Sequence, residues 1–213
     1  MKYDPVKSRI GRIVGSSVRL RKLFYALLDI LLLRTWHVKK AIRLFDQRNP
    51  GAKDILDAGS GFGQYSWRMS KLNKNWKILG IDIKEEQVDD CKRFISKTGA
   101  KDRVSFAPAD LTRYRSEATY DMILSVDVME HIEDDNAVFR NFYHSLRMGG
   151  WLIVSTPSDK GGSDVHHHDD DSFIDEHVRD GYGKEEIREK LADAGFSATD
   201  ISYTYGKPGR LSW

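Results

Sequence analysis

"KDILDAGSGFGQYSW", residues 53–67, decides how this chain is read. Ile55, Leu56 and Ala58, interrupted only by Asp57, read as a short buried strand. The strand runs into three glycines at alternate positions, Gly59, Gly61 and Gly63, and a helical pattern follows from Gln64. Glycines at that density cost backbone entropy, so the loop needs a main chain bare of side chains. The helix start behind it offers unsatisfied N–H groups to whatever rests above.

The spacing excludes two nucleotide loops. A dinucleotide fingerprint, G-x-G-x-x-G, counted from Gly59 and Gly61 requires a glycine at 64, where the chain has Gln64. A phosphate loop requires Gly-Lys-Ser/Thr, and none follows. The pattern present is D-x-G-x-G-x-G, from Asp57 to Gly63.

Outward from this stretch, apolar runs alternate with helical patterns. "WKILGIDI" is the second strand, and "KEEQVDDCKRFISKTG" a helix with Val88, Cys91, Phe94 and Ile95 on one face. "RVSFAPAD" and "YDMILSVDV" are the third and fourth strands, and "NAVFRNFYHSLRMGG" is a helix stopped by its two glycines. "GWLIVSTP" is a fifth strand, "KEEIREKLADAGF" a last helix, and "ATDISYTYG" a sixth strand. This order predicts an α/β fold: a doubly wound, mostly parallel sheet covered on both faces. Ligands of such sheets bind beyond the carboxyl ends of the strands, where the winding reverses.

From about residue 53 to 206 the chain resembles the class I S-adenosylmethionine-dependent methyltransferases. The glycine loop matches the family's first motif, Asp82 its acid after strand two, and "PADL" with Asp110 its acid after strand three. "SVDVMEHI" and "LRMGGWLIVSTPS" match the segments around strands four and five, and "MEHI" resembles the branch acting on quinones, lipids, sugars and other small molecules. The resemblance implies a Rossmann-like fold and S-adenosylmethionine as cofactor. It implies Gly59, Gly61 and Gly63 beneath the cofactor and Asp57 toward its ammonium, directly or through water. Asp82 would accept both ribose hydroxyls, and Ile83 would face the adenine. Asp110 would take the adenine amino group, the Leu111 backbone would touch the ring, and the Val126 backbone would meet the methionine portion. Competing structural readings exist: Asp82 can cap the helix beginning "DIKEE", and Asp110 can cap "LTRY".

For an acceptor hydroxyl or phenol, His131 in "MEHIEDD" is the candidate base; the alternative is a structural histidine fixing its loop. Glu130 and Asp127 fit loop-orienting roles. In "DVHHHDDD", residues 164–171, His166, His168 and Asp170 alternate as divalent-cation ligands would, yet a solvated loop is the favoured reading and no metal is assigned. Arg179 and Glu176 read as a buried pair anchoring a lid.

With 213 residues, 40% hydrophobic and 31% charged, the chain can bury a full core. Its single cysteine, Cys91, forbids an intrachain disulfide and fits a reducing cytoplasm. Residues 1–53 hold 13 Lys/Arg against three acids, a net of +10, which leaves −8 on the remainder of a chain whose total is +2. The division expected is a basic, apolar helical segment over 1–48, acting as substrate lid or membrane-surface contact, and a cofactor-binding domain over 49–213. Within the former, only eleven residues separate Lys22 from Arg34, and Asp29 falls among them, too short a run to span a bilayer. Residues 18–37 instead read as a helix packed over the core, or as one lying on a membrane.

The function expected is methyl transfer to a small-molecule or lipid-like acceptor, with oxygen favoured over nitrogen or carbon. The rivals are a non-catalytic S-adenosylmethionine-binding module and a nucleic-acid methyltransferase. Against the first, the glycine loop and acids are intact; against the second, no Asn-Pro-Pro-Tyr-type motif follows strand four, so no nucleic-acid partner is expected. The resembled fold has seven strands and six are counted, so a C-terminal segment carrying the seventh is expected beyond Trp213. An unpaired sheet edge would invite a homodimer.

Overall fold

A computed structural model describes residues 17–31, 33–160 and 178–204 of the chain. Two helices, α1 (Val18–Leu31) and α2 (Leu33–Arg48), precede β1 (Asp54–Ala58). Then come α3 (Gln64–Leu72), β2 (Lys77–Asp82), α4 (Glu85–Ser96), β3 (Val104–Pro108) and β4 (Tyr120–Val126). A single 3-10 turn at Met129–His131 leads to α5 (Asp135–Ser145), β5 (Leu146–Ser155) and α6 (Lys184–Ala194).

The strands form one sheet in the order β3-β2-β1-β4-β5, and every pairing is parallel. The winding reverses between β1 and β4, so their carboxyl ends open a crevice beside the glycine loop. Alternation along each strand sends side chains to opposite faces. Ile55, Met122 and Leu124 join Tyr25, Val38, Ile42, Phe45, Met69 and Phe94 on the face covered by α1 to α4. Leu56 and Ile123 join Phe139, Phe142, Leu146 and Ile187 on the face covered by α5 and α6. At the opposite ends of the strands, Arg147 bridges Asp54 and Asp121 at 2.8 and 2.6 Å, tying β1, β4 and β5 together.

The structure corrects three readings. The front end is two helices rather than one. The helix before β5 ends at Ser145, ahead of Gly149 and Gly150. Those glycines serve β5, which runs Leu146–Ser155 with a register shift between Tyr120 and Met122 on its neighbour. There Gly149 has φ +76°, and a Cβ on Gly150 would stand 2.9 Å from the Arg147 carbonyl oxygen. Third, the described part of the expected sixth strand, residues 198–204, carries no strand. Phe196 and Ile201 pack on the second core face, and Tyr203 Oη donates to Asp159 at 3.2 Å, so the side chains hold this segment away from a ladder. Arg179 donates to Asp135 at 2.5 Å and to the Ile132 carbonyl at 2.8 Å; Glu176, its expected partner, lies outside the described residues.

The second helix is a structural part of the sheet's core, since Phe45 is 1% exposed and its ring packs edge-on against Trp76 and Trp151. Phe45→Ala should cost roughly 3–5 kcal/mol in urea unfolding, the range for an emptied aromatic site. A loss under about 1 kcal/mol would mean that α2 is only draped on the surface.

Candidate cofactor site

The site is built where three chain reversals meet, at the carboxyl ends of β1, β2 and β4. Gly59, Gly61 and Gly63 all take left-handed φ values, +77°, +49° and +74°. A Cβ on Gly59 would stand 2.2 Å from Val128 Cγ2, so the segment after β4 packs directly against bare main chain. A Cβ on Gly61 would meet nothing nearer than Gln87 Oε1 at 4.0 Å, which leaves that side of the loop open toward the crevice. Next to it, the hydroxyl of buried Ser60 has no hydrogen-bond partner among the described residues.

Asp82 holds this loop in place. Gly59 and Ser60 N–H donate to the Ile81 carbonyl at 2.9 and 2.8 Å, and Gly61 N–H donates to Asp82 Oδ2 at 2.9 Å. The other oxygen, Oδ1, accepts from Lys84 N–H at 2.9 Å. That bond forms an Asx turn and not the helix cap considered above, for α4 starts at Glu85 with no side-chain cap. Two backbone donors use about half of the four lone-pair directions of the carboxylate, so capacity for a diol remains. Ile83 follows with 68% of its surface exposed, an apolar side chain lining the crevice.

The other acids divide by burial. Asp57 is buried, and Ser66 Oγ donates to its Oδ2 at 2.6 Å. Burial, with a smaller push from the Asp82 charge, raises its carboxyl to about 6 despite the Ser66 bonds. Asp110 lies across the crevice mouth; its Oδ1 accepts from Thr112 N–H at 2.9 Å and Thr112 Oγ1 at 2.7 Å, which holds its pKa low. The capping role therefore belongs to one oxygen, and Oδ2 has Arg113 at 3.9 Å beside it among the described residues. Leu111 is buried, with its carbonyl held by Asn141 Nδ2 at 3.0 Å. Val126 ends β4 opposite Ser155 and lines the crevice.

Beyond Val126, Asp127 takes φ +53°, a left-handed conformation that turns the chain into the 3-10 segment. His131 stands exposed on the crevice rim. Its neighbour Glu130 is buried, accepts from Thr156 Oγ1 at 3.1 Å, and has its carboxyl pushed up by burial against the opposing charge of His131. No group of three or more His, Cys, Asp or Glu able to hold a metal occurs among the described residues, and 164–171 lie outside them.

Four contributors had no readable signal in the sequence. Val128 locks onto Gly59. Arg34, on α2, pairs with Asp127 at 2.9 Å and carries the front end over the crevice. Arg21 and Tyr25, on α1, both donate to the Phe62 carbonyl of the glycine loop, Arg21 at 2.7 Å. The contact between Gly59 and Val128 yields a direct test. Gly59→Ala should lose about 2 kcal/mol or more of unfolding free energy, from left-handed backbone strain plus the clash. Unchanged stability would show that the loop and the β4 turn are not in contact.

Comparison with known proteins agrees with this geometry. A family model described as "Methyltransferase domain" matches residues 51–195. Malonyl-[acyl-carrier protein] O-methyltransferase 1 of Ilyobacter polytropus is 29% identical over 124 residues, which are 58% of this chain and 45% of the relative. Phosphoethanolamine N-methyltransferase of Triticum aestivum is 34% identical over 118 residues, 55% of this chain and 22% of the relative. The chain thus spans less than half the length of these curated relatives. Among solved structures, Haemonchus contortus phosphoethanolamine N-methyltransferase 2 in complex with S-adenosyl-L-methionine superposes with a TM-score of 0.61 at 21% identity. That match covers 76% of this chain and 37% of the other. The [4+2]-cyclase SpnF superposes with a TM-score of 0.59 at 24% identity, covering 73% and 56%. The matched family and the sheet with its crevice agree, and the chain belongs to the class I S-adenosylmethionine-dependent methyltransferases.

Proposed function

We propose that this chain transfers a methyl group from S-adenosylmethionine to the hydroxyl of a small or lipid-like acceptor. The observation that carries the proposal is the set of groups around the crevice: open glycine backbone at Gly61, spare carboxylate capacity on Asp82, a bare Ile83 and an exposed His131 on the opposite rim. Asp82 would hold the ribose diol, Ile83 the adenine, Asp110 Oδ2 and the Leu111 backbone the adenine edge, and Val126 the methionine chain. When bound, the cofactor supplies a methyl group already activated on a sulfonium, so the protein's tasks are alignment and exclusion of water. His131 would accept the proton of the acceptor hydroxyl from its place on the crevice rim. Two named relatives, the malonyl-[acyl-carrier protein] enzyme and a ubiquinone biosynthesis O-methyltransferase of Bordetella avium, 26% identical over 102 residues, support oxygen as the acceptor atom.

Asp57 gives this reading a pH signature. Its folded-state carboxyl keeps a proton up to about 6, whereas in the unfolded chain it ionises from 3.8. The folded state therefore holds more protons between those values, and the group's contribution to stability falls as pH rises through that window. A cofactor ammonium favours the ionised form, so binding must expel the proton below about 6. Calorimetric titration with S-adenosylmethionine should show Kd rising by up to about tenfold per pH unit below that point, and Asp57→Asn should flatten the profile. A wild-type Kd independent of pH from acid to neutral would remove Asp57 from the ammonium site.

The base assignment is tested on any acceptor that supports turnover in a screen with radiolabelled cofactor. His131→Ala should lower kcat about a hundredfold or more while cofactor Kd stays within about twofold. Full turnover in that variant would return His131 to a structural role.

A further inference from the structure

The first helix is apolar outward as well as inward, where Tyr25 joins the core and Val18 and Phe24 pack against it. Its inward side carries an arginine: Arg21, 1% exposed, donates to Tyr25 Oη at 2.7 Å and to the Phe62 carbonyl at 2.7 Å, and pairs with Asp90. Its outward side carries more hydrocarbon. Leu23, Leu27, Ile30 and Leu31 are 64%, 51%, 77% and 66% exposed, and with Leu20 they follow the three- and four-residue spacing of one helical stripe. Trp36, 66% exposed near the start of α2, adds an indole of the kind enriched at membrane–water interfaces. A contiguous apolar strip facing water marks a contact surface.

Charge says which contact. Arg19 and Lys22 are exposed beside the stripe, with Lys22 Nζ 4.9 Å from the Trp67 ring. The single acid of this helix, Asp29, is engaged by Lys39 at 3.2 Å, by Arg68 and by Gln64. A second copy docking stripe to stripe would bring cations against cations, with no free carboxylate to meet them. An anionic lipid surface meets both demands, hydrocarbon for the leucines and phosphate for Arg19 and Lys22. Among the described residues no helix is long and apolar enough to cross a membrane, so this contact lies in the plane of the interface.

We infer that Val18–Leu31, with Trp36, docks the protein onto an anionic bilayer through Leu23, Leu27 and Ile30 flanked by Arg19 and Lys22. The inference deepens the reading of a lipid-like acceptor, because Leu28, Arg34 and His37 on the same two helices line the crevice. The docked face thus adjoins the entrance to the site.

Sedimentation of the full chain tests it. The lipids are phosphatidylcholine vesicles and vesicles in which phosphatidylglycerol replaces roughly a third of the lipid. Wild type should bind the anionic vesicles about tenfold more tightly than the neutral ones. Both Leu27→Glu/Ile30→Glu and Arg19→Gln/Lys22→Gln should lose about tenfold on the anionic vesicles, with melting temperatures near wild type. Equal sedimentation of wild type and both variants would overturn the inference. So would a dimer in light scattering that Leu27→Glu/Ile30→Glu disrupts while vesicles bind neither protein, an outcome that assigns the stripe to a second copy. Calorimetry with S-adenosylmethionine on the same samples separates the two claims. Cofactor binding without vesicle binding rejects only the docking, and vesicle binding without cofactor binding rejects only the methyltransfer reading.

Discussion

The structure around the crevice depends on one carboxylate. At the ends of β1 and β2 the ladder stops, and the amides of the glycine loop would be left without partners just where water is being excluded. Asp82 and the carbonyl before it take three of them, at Gly59, Ser60 and Gly61. Bonds to a charged acceptor contribute about 1.5–3 kcal/mol each, roughly twice a neutral pair. A residue expected to hold a ligand is thereby also the clip that shapes the loop beneath it. The same double use appears at Asp110, where one oxygen closes a turn and the other is left toward the crevice.

Each sheet face is also fixed to its helices by a buried charge. On one side Arg21 joins α1 to α4 and the glycine loop. On the other, Asp135 is 1% exposed and accepts from Arg179, Tyr182 Oη at 2.7 Å and Lys190 at 3.0 Å, which binds α5 to the chain entering α6. Removing one partner from such a cluster leaves an uncompensated ion in the interior, which is far more costly than the net value of the pair. The clusters therefore specify where the helices sit more than they add to stability. That SpnF, a cyclase, superposes on the same scaffold shows why chemistry has to be argued from the crevice and not from the sheet.

The sheet was legible because its signals are local. Ile55 and Leu56, Met122 and Ile123, and the glycine triplet announce strand, face and turn within a few residues. The errors arise where distant parts decide. Gly149 and Gly150 look like a helix stop, yet Leu146 is drawn into pairing with Tyr120 and the glycines become a kink in β5. "ATDISYTYG" alternates like a strand, but over its described residues, 198–204, Ile201 finds the core without a ladder. Arg21 looks in sequence like one more cation flanking an apolar run; only the packing of α1 against Phe62, Asp90 and Phe94 turns it inward. Such positions have no periodicity to read, because their partners lie tens of residues away.

Cys91 completes the underside of the glycine loop. Its thiol donates to the Gly61 carbonyl at 3.3 Å and accepts from Arg21 at 3.3 Å, and burial pushes its pKa up to about 12. A sulfur so enclosed and so fully protonated is a poor nucleophile. It becomes reactive only when the seam between the loop, α1 and α4 parts. As the chain's sole thiol, it is a built-in clock: the pace at which an alkylating reagent consumes it counts the openings of the seam beneath the glycine loop, without any label having to be added.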